Sequence, residues 1–242
     1  MTALEEAETS SLKLRYQDVL NRVRDCAASS NRTIDEIALI AITKTHPASV
    51  IQEAIKLGMT DFGENRVQEA ETKIMEVGRN SARWHLVGHL QANKARRAVQ
   101  LFDVIQSVDS ISIAQRLERL CDELARPTLE VLIQVDLGQE ETKTGVAEAE
   151  LEELAAIINE CSHLQLIGLM TLPPFFEELE LVRPYFRQLR ALRDELKSKG
   201  FFGASRGELS MGMTNDFPIA IAEGATMIRV GTAIFGARER IN

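Results

Sequence analysis

Short apolar runs alternate with amphipathic segments along most of the chain. The first clear run, Ile37 to Ile42, holds six apolar residues in succession, which is typical of a strand buried on both faces of a parallel sheet. The segment before it, from about 9 to 29, repeats apolar residues at helical spacing and predicts an amphipathic leading helix. We expect the residues ahead of that helix, about 1–8, to form a disordered tail.

Strand and helix patterns then follow one another in turn. The strands are predicted at 37–44, 59–63, 84–88, 104–108, 129–135, 166–170, 209–211 and 226–230, and the helices at 49–57, 65–77, 91–101, 111–124, 148–159, 179–199 and 215–223, before a final turn at 232–235. Pro184 either kinks the helix at 179–199 or marks its true first turn. The connection at 136–145 is polar and is predicted to be a loop.

This alternation determines the fold class. Strands that alternate with helices demand a parallel sheet, and eight such units in 242 residues predict an α/β protein built as a closed (β/α)8 TIM barrel. No Pro- or Ser-rich linker divides the chain, and no G-x-G-x-x-G motif follows the first strand, which weakens the alternative of an open nucleotide-binding sheet. We therefore predict one barrel domain over residues 1–242, with its working face at the carboxyl ends of the strands.

Composition and charge exclude several classes of protein. The formal net charge of −8 argues against a general nucleic-acid binder. No apolar segment reaches membrane-spanning length, and the acidic start of the chain does not resemble a signal peptide. The three cysteines form no C-x-x-C pair, so neither a disulfide framework nor a metal site is predicted. We expect a monomer in a reducing cytoplasm, because no long apolar helix face calls for a partner.

Lys44 is the first candidate for chemistry because it follows the first strand, shortly before Pro47 stops the pairing. The simplest interpretation is that its side chain extends into water at the strand tip. The functional interpretation is an amine at the mouth of an apolar pocket, where desolvation would favour the neutral form that attacks carbonyl groups.

Two glycine-bearing loops form the second candidate. One runs from 209 to 214 and contains Ser210, and the other begins with Gly231 and Thr232. Phosphate sites in TIM barrels are often built by the loops after strands seven and eight, where backbone N–H groups and hydroxyls donate to the phosphate oxygens. Alternatively, these glycines only shape tight turns. A lysine amine and a phosphate cup in one mouth suggest a phosphorylated aldehyde, and pyridoxal 5′-phosphate has both groups.

Six segments make the sequence recognisable. They lie at 41–47, 62–69, 84–91, 168–171, 209–216 and 228–236. Together they resemble the pyridoxal phosphate homeostasis protein family, which is related in fold to the N-terminal barrel of alanine racemase and hence to fold-type III cofactor barrels. The resemblance covers most of the barrel and implies an intracellular protein that stores, buffers or delivers the cofactor.

The resemblance also implies roles for individual residues. Lys44 would carry pyridoxal phosphate as an internal aldimine, and Arg229 would face the pyridine nitrogen. Asn65 would lie against the ring. The phosphate would be held by Ser210, Gly231 and Thr232, and Met211 is counted with the cofactor-binding residues. The family typically has serine where this chain has Thr214, a change that retains the hydroxyl.

Two functions are open at this point. The first is a cofactor-holding protein without substrate turnover, which could pass pyridoxal phosphate to apoenzymes. The second is a pyridoxal-phosphate-dependent amino-acid racemase, which needs a second proton-exchanging group. We expect no additional C-terminal domain to supply one, and both tyrosines, Tyr16 and Tyr185, lie on predicted outer helices. His85 is interpreted as a core residue, and His89 as a residue near the mouth that makes no metal site by itself.

Overall fold

Eight parallel strands close into a barrel in chain order in the computed structural model, which describes residues 3–138 and 144–236, with side chains from residue 10 onward. The strands are β1 (Ala38–Ile42), β2 (Asp61–Glu64), β3 (Arg83–Leu86), β4 (Val104–Val108), β5 (Leu129–Gln134), β6 (Leu164–Met170), β7 (Glu208–Ser210) and β8 (Met227–Val230). β1 pairs with β8 to complete the circle. The predicted TIM barrel is confirmed.

Helices connect the strands and surround the barrel. They are α1 (Ala3–Ser29), α2 (Ala48–Lys56), α3 (Val67–Val77), α4 (Ala95–Leu101), α5 (Ile111–Glu123), α6 (Glu148–Glu160), α7 (Arg183–Ser198), α8 (Phe217–Ala222) and α9 (Thr232–Phe235). Among the residues that the structure describes, no helix combines the length and the apolar character required to cross a membrane.

Three sequence predictions are corrected or decided by these bounds. α1 begins at Ala3, ahead of the helix start near residue 9 that the periodicity indicated, in a stretch whose Ala, Leu and Glu are strong helix formers. The segment at 91–101 divides into a 3₁₀ turn and α4. Pro184 lies in the first turn of α7, where a missing N–H costs no helical hydrogen bond. Within the predicted loop at 136–145, residues 139–143 lie outside the described part of the chain.

The apolar core has two layers because each strand has two buried faces. The larger layer lies between the strands and the helices and includes Trp84 and Phe62, both fully buried. The smaller layer fills the barrel interior with Ile40, Ile42, Val87, Val104, Leu132, Ile167, Met170 and Met227. Burial on both faces of β1 accounts for the continuous apolar run at 37–42.

α1 is an addition to the eightfold repeat and packs against α8 and α9. Val19 and Val23 are buried in this contact, and the Arg22 guanidinium lies 4.7 Å from the ring centroid of Phe217. Arg15 Nε donates a hydrogen bond of 2.7 Å to the Ile234 carbonyl in α9. The leading helix thus fixes the short turn that follows β8.

Candidate ligand site at the barrel mouth

Four of the predicted site residues lie at the carboxyl ends of strands. Lys44 follows β1 in a turn, and Asn65 comes directly after β2. Ser210 is the last residue of β7, and Gly231 follows β8. Because all strands are parallel, these ends meet at one edge of the barrel. The structure therefore brings the predicted residues to one mouth.

The Lys44 side chain is exposed rather than enclosed. Ile40 and Ile42 belong to the apolar layer that fills the barrel interior, but β1 ends at Ile42 and Lys44 lies in the turn that follows, so the two-residue period of the strand does not extend to it. Within the described residues, its amine has no hydrogen-bond or ion-pair partner. Of the two interpretations, the simpler one agrees with the structure and the desolvated amine in an apolar pocket is wrong, because β1 ends two residues earlier and the turn carries Lys44 into solvent.

Arg229 and Ser210 form the buried floor of the mouth. Both are buried, Ser210 completely. Arg229 Nη1 donates to Ser210 Oγ at 2.6 Å, and Nη2 donates to the Thr171 carbonyl at 2.8 Å. Burial lowers the pKa of Arg229 to about 10, and the charge of Asp216 partly offsets the effect. The guanidinium therefore stays charged at neutral pH.

A chain of hydrogen bonds continues from this pair through the barrel. Ser210 Oγ donates to Gln106 Oε1 at 2.6 Å, and Gln106 Nε2 lies 3.0 Å from His85 Nδ1. His85 Nε2 lies 2.9 Å from Asp61 Oδ1. Only the neutral tautomer with its proton on Nε2 satisfies both partners of the imidazole. The chain thus runs in one direction, from the cation at Arg229 to the carboxylate at Asp61.

Burial and hydrogen bonding set the charge states of His85 and Asp61 at the end of this hydrogen-bond chain. Burial lowers the pKa of His85 below its usual value, and the hydrogen bond with Asp61 opposes the shift only in part. For Asp61, burial raises the pKa, but hydrogen bonds from His85 and Thr60 and the charge of Arg83 outweigh it and lower the pKa. The predicted core role of His85 agrees with its complete burial.

The loops after β7 and β8 lie against each other, as a phosphate cup requires. Thr232 Oγ1 donates to Thr214 Oγ1 at 3.3 Å, and Thr232 is exposed. The N–H of Arg229 donates to the carbonyl of Gly212 at 2.9 Å. Gly212 has a φ of +91°, a conformation that favours glycine. At Gly231 a Cβ would lie 3.3 Å from the Ile42 carbonyl oxygen, so this loop passes close to β1.

The remaining candidate residues are Met211, Asn65 and His89. The Met211 side chain is buried between the barrel and the helices, and its N–H donates to the Met227 carbonyl at 3.1 Å. The Asn65 backbone lies so close to Gly88 that a Cβ there would collide with the Asn65 carbonyl. His89 is exposed, and its Nδ1 lies 3.0 Å from Asp109 Oδ2.

The two tyrosines occupy the outer helices, as predicted. Tyr16 lies on α1 and Tyr185 on α7, and both are half-buried. The Tyr185 ring packs against Phe176, with ring centroids 5.6 Å apart.

Sequence reasoning missed several polar residues that support the mouth. Gln106 lies in the middle of β4, and Glu64 ends β2; both are fully buried. Lys73 on α3 is also buried, with its amine on Glu64. The sequence offered one signal: a polar residue within a predicted buried strand, such as Gln106, needs a buried hydrogen-bond partner. The partners lie between 9 positions (Lys73 and Glu64) and 104 positions (Gln106 and Ser210) apart in sequence.

Comparison with known proteins finds relatives over nearly the whole chain. Residues 20–239 match the family described as alanine racemase, N-terminal domain. A curated protein of Escherichia coli strain K12, named pyridoxal phosphate homeostasis protein, is 42% identical over 227 residues, which cover 91% of this chain and 94% of that protein.

Solved structures share the barrel. The structure of PipY from Synechococcus elongatus with PLP bound has a TM-score of 0.74 and 41% identity, and the match covers 88% of this chain and 100% of that chain. Alanine racemase from Corynebacterium glutamicum has a TM-score of 0.66 at 16% identity, over 97% of this chain and 62% of that chain. That likeness shows a common fold alone.

Proposed function

The chain belongs to the pyridoxal phosphate homeostasis protein family, and from that premise we propose that it binds pyridoxal 5′-phosphate and holds it without turning over a substrate. Its role is then to store, buffer or deliver the cofactor inside the cell. The observation that carries the proposal is the convergence of Lys44, the buried Arg229 and two hydroxyl-bearing glycine loops at one barrel mouth.

Lys44 is the covalent anchor in this proposal. The cofactor would supply an aldehyde, and the Lys44 nitrogen would condense with its carbonyl carbon, which forms a C=N bond and releases one water. The exposed amine of Lys44, without a partner among the described residues, is available for this bond. Lys73 is a poor candidate for the same role because its ammonium already donates to Thr43, Glu64 and Glu69.

The phosphate belongs between the loops after β7 and β8. Thr232 presents an exposed hydroxyl there, and Gly231 allows close approach of the backbone. The Ser210 hydroxyl can donate to a phosphate only if it turns away from Gln106. The Met211 N–H donates to the Met227 carbonyl of β8, and this hydrogen bond fixes the backbone where the loop after β7 begins.

Arg229 is proposed to face the pyridine nitrogen, and Asn65 to lie against the ring. A guanidinium donates hydrogen bonds and accepts none, so it favours an unprotonated ring nitrogen. An unprotonated ring withdraws electrons weakly. This arrangement supports retention of the cofactor over carbanion chemistry, and it disfavours the alternative of an amino-acid racemase.

Three finer statements belong to the same proposal. We propose a cytoplasmic protein, a monomer, and delivery of the cofactor to pyridoxal-phosphate-dependent apoenzymes. The open position of Lys44 supports delivery, because an exposed C=N bond is accessible to water and to a second amine.

Exchange of the Cα proton distinguishes a cofactor holder from a racemase. The loaded protein is incubated with saturating L- and D-alanine in deuterated water, and deuterium uptake is followed by NMR. We expect no exchange at an enzymatic rate, because no second acid–base group is positioned by the residues assigned to the site. Exchange or racemisation at about 1 per second or faster would establish the racemase instead.

A further inference from the structure

The turn that presents Lys44 has an unusual backbone. Thr45 adopts a φ of +69°, in the left-handed region that β-branched residues rarely occupy. Such a conformation persists only where surrounding contacts determine it. The residues on both sides of Lys44 must therefore be fixed by something outside the turn.

A buried ionic cluster on β2 and α3 makes those contacts. Thr43 Oγ1 donates to Glu64 Oε1 at 2.6 Å. Lys73 Nζ donates to the Thr43 carbonyl at 2.7 Å, to Glu64 Oε1 at 2.8 Å and to Glu69 Oε1 at 2.6 Å. The Thr45 N–H donates to the same Glu69 oxygen. Both neighbours of Lys44 are thus held, while the lysine itself is not.

The burial of this cluster argues for a role beyond stability. The side chains of Lys73 and Glu64 are 8% and 0% exposed. The second oxygen of Glu64 is buried and has no partner within the described residues. Burial raises the pKa of Glu64 even though the charge of Lys73 opposes it. Apolar side chains of similar volume would stabilise the folded protein equally well or better. The free energy of folding therefore does not account for the cluster, and positioning of the turn does.

We propose that Glu64, Glu69 and Lys73 are positioning residues that hold the Lys44 turn in the geometry required for its covalent bond to the aldehyde. The inference rests on the proposed function. The cluster does not touch the ligand: it acts through Thr43 and Thr45. It therefore affects the covalent bond and leaves noncovalent recognition of the phosphate and ring unchanged.

Glu69 is the best residue for a test because it is only partly buried, with 29% of its side chain exposed. In Glu69→Ala, Thr45 loses its acceptor. We expect affinity for pyridoxal 5′-phosphate to fall about tenfold, as for a lost hydrogen bond to a charged group, and borohydride trapping at Lys44 to slow. Pyridoxine 5′-phosphate has an alcohol in place of the aldehyde, and its affinity should stay within about twofold. Glu69→Gln retains an acceptor and should restore most of the loss.

The matched control is Glu71→Ala on the same helix, which removes a surface ion pair with Arg97 (2.9 Å) and leaves the turn intact. It should match the wild-type protein with both ligands. Unchanged affinity for pyridoxal 5′-phosphate in Glu69→Ala, or an equal loss for the two ligands, would overturn the positioning role. Wild-type protein that binds the aldehyde no more tightly than the alcohol and yields no adduct at Lys44 would instead overturn the proposed function.

Discussion

Two hydroxyls at the mouth, those of Thr232 and Ser210, are expected to differ in their effects on ligand binding and on folding. Thr232 is exposed, whereas Ser210 is fully buried between Arg229 and Gln106. Thr232→Ala should weaken binding of pyridoxal 5′-phosphate about tenfold, since a hydrogen bond to a charged group is lost. It should leave binding of unphosphorylated pyridoxal and the free energy of unfolding nearly unchanged.

Ser210→Ala is the contrasting variant. It leaves the Arg229 donor and the Gln106 oxygen without their partner, which costs about 1–3 kcal/mol of folding free energy. Ligand titrations and urea denaturation of both variants measure the difference. If Thr232→Ala weakened both ligands equally, the phosphate would not lie between these two loops.

Single residues also show what the sequence can reveal. Lys44, Gly231 and Thr232 were identifiable because strand ends and glycine loops leave a local pattern. Gln106 was not, because its partner Ser210 is 104 positions away, and a hydrogen bond at that separation has no local signature. The exposure of Lys44 agrees with the simpler of its two interpretations, but the sequence could not decide between them, since the outcome depends on where β1 ends.

At the scale of elements, the polar chain from β8 to β2 couples stability to pH. The pKa of His85 is lower in the folded protein than the usual value of about 6.5 in an unfolded chain. The unfolded state therefore binds more protons as the pH falls below that value, and stability is lost on acidification. The slope reaches about 1.4 kcal/mol per pH unit where one proton separates the two states.

His85→Gln should flatten this pH dependence, because glutamine can bond to both Gln106 and Asp61 but carries no titrating proton. Urea denaturation of wild-type and variant protein between pH 5 and 7.5 gives the comparison. If the free energy of unfolding changed with pH equally in the two proteins, the buried imidazole would not cause the loss of stability on acidification.

Element types were predictable and their ends were not. The alternation of short apolar segments with amphipathic segments predicted all eight strands in order. The helix ends differ from the predicted ones: α1 begins at Ala3, and the segment predicted at 179–199 starts its α-helix at Arg183. Neither end could be read from periodicity alone.

At the scale of the whole molecule, the barrel explains why candidate site residues that are distant in sequence lie at one end of the fold. Parallel strands in chain order place the residue after each strand on the same edge. The motifs from 41 to 236 therefore converge without any sequence proximity, and the predicted family resemblance is confirmed by relatives about 40% identical over more than 90% of the chain. The ionic cluster beneath Lys44 follows from the structure alone.

The most direct measurement is to locate the covalent bond. Wild-type, Lys44→Ala and Lys56→Ala proteins are incubated with pyridoxal 5′-phosphate, reduced with borohydride, digested and mapped by mass spectrometry. Lys56 is an exposed lysine at the end of α2 and serves as the control. We predict a single adduct on Lys44 in the wild-type and Lys56→Ala proteins and its loss in Lys44→Ala. A wild-type amount of adduct on another lysine, or its persistence in Lys44→Ala, would contradict the account.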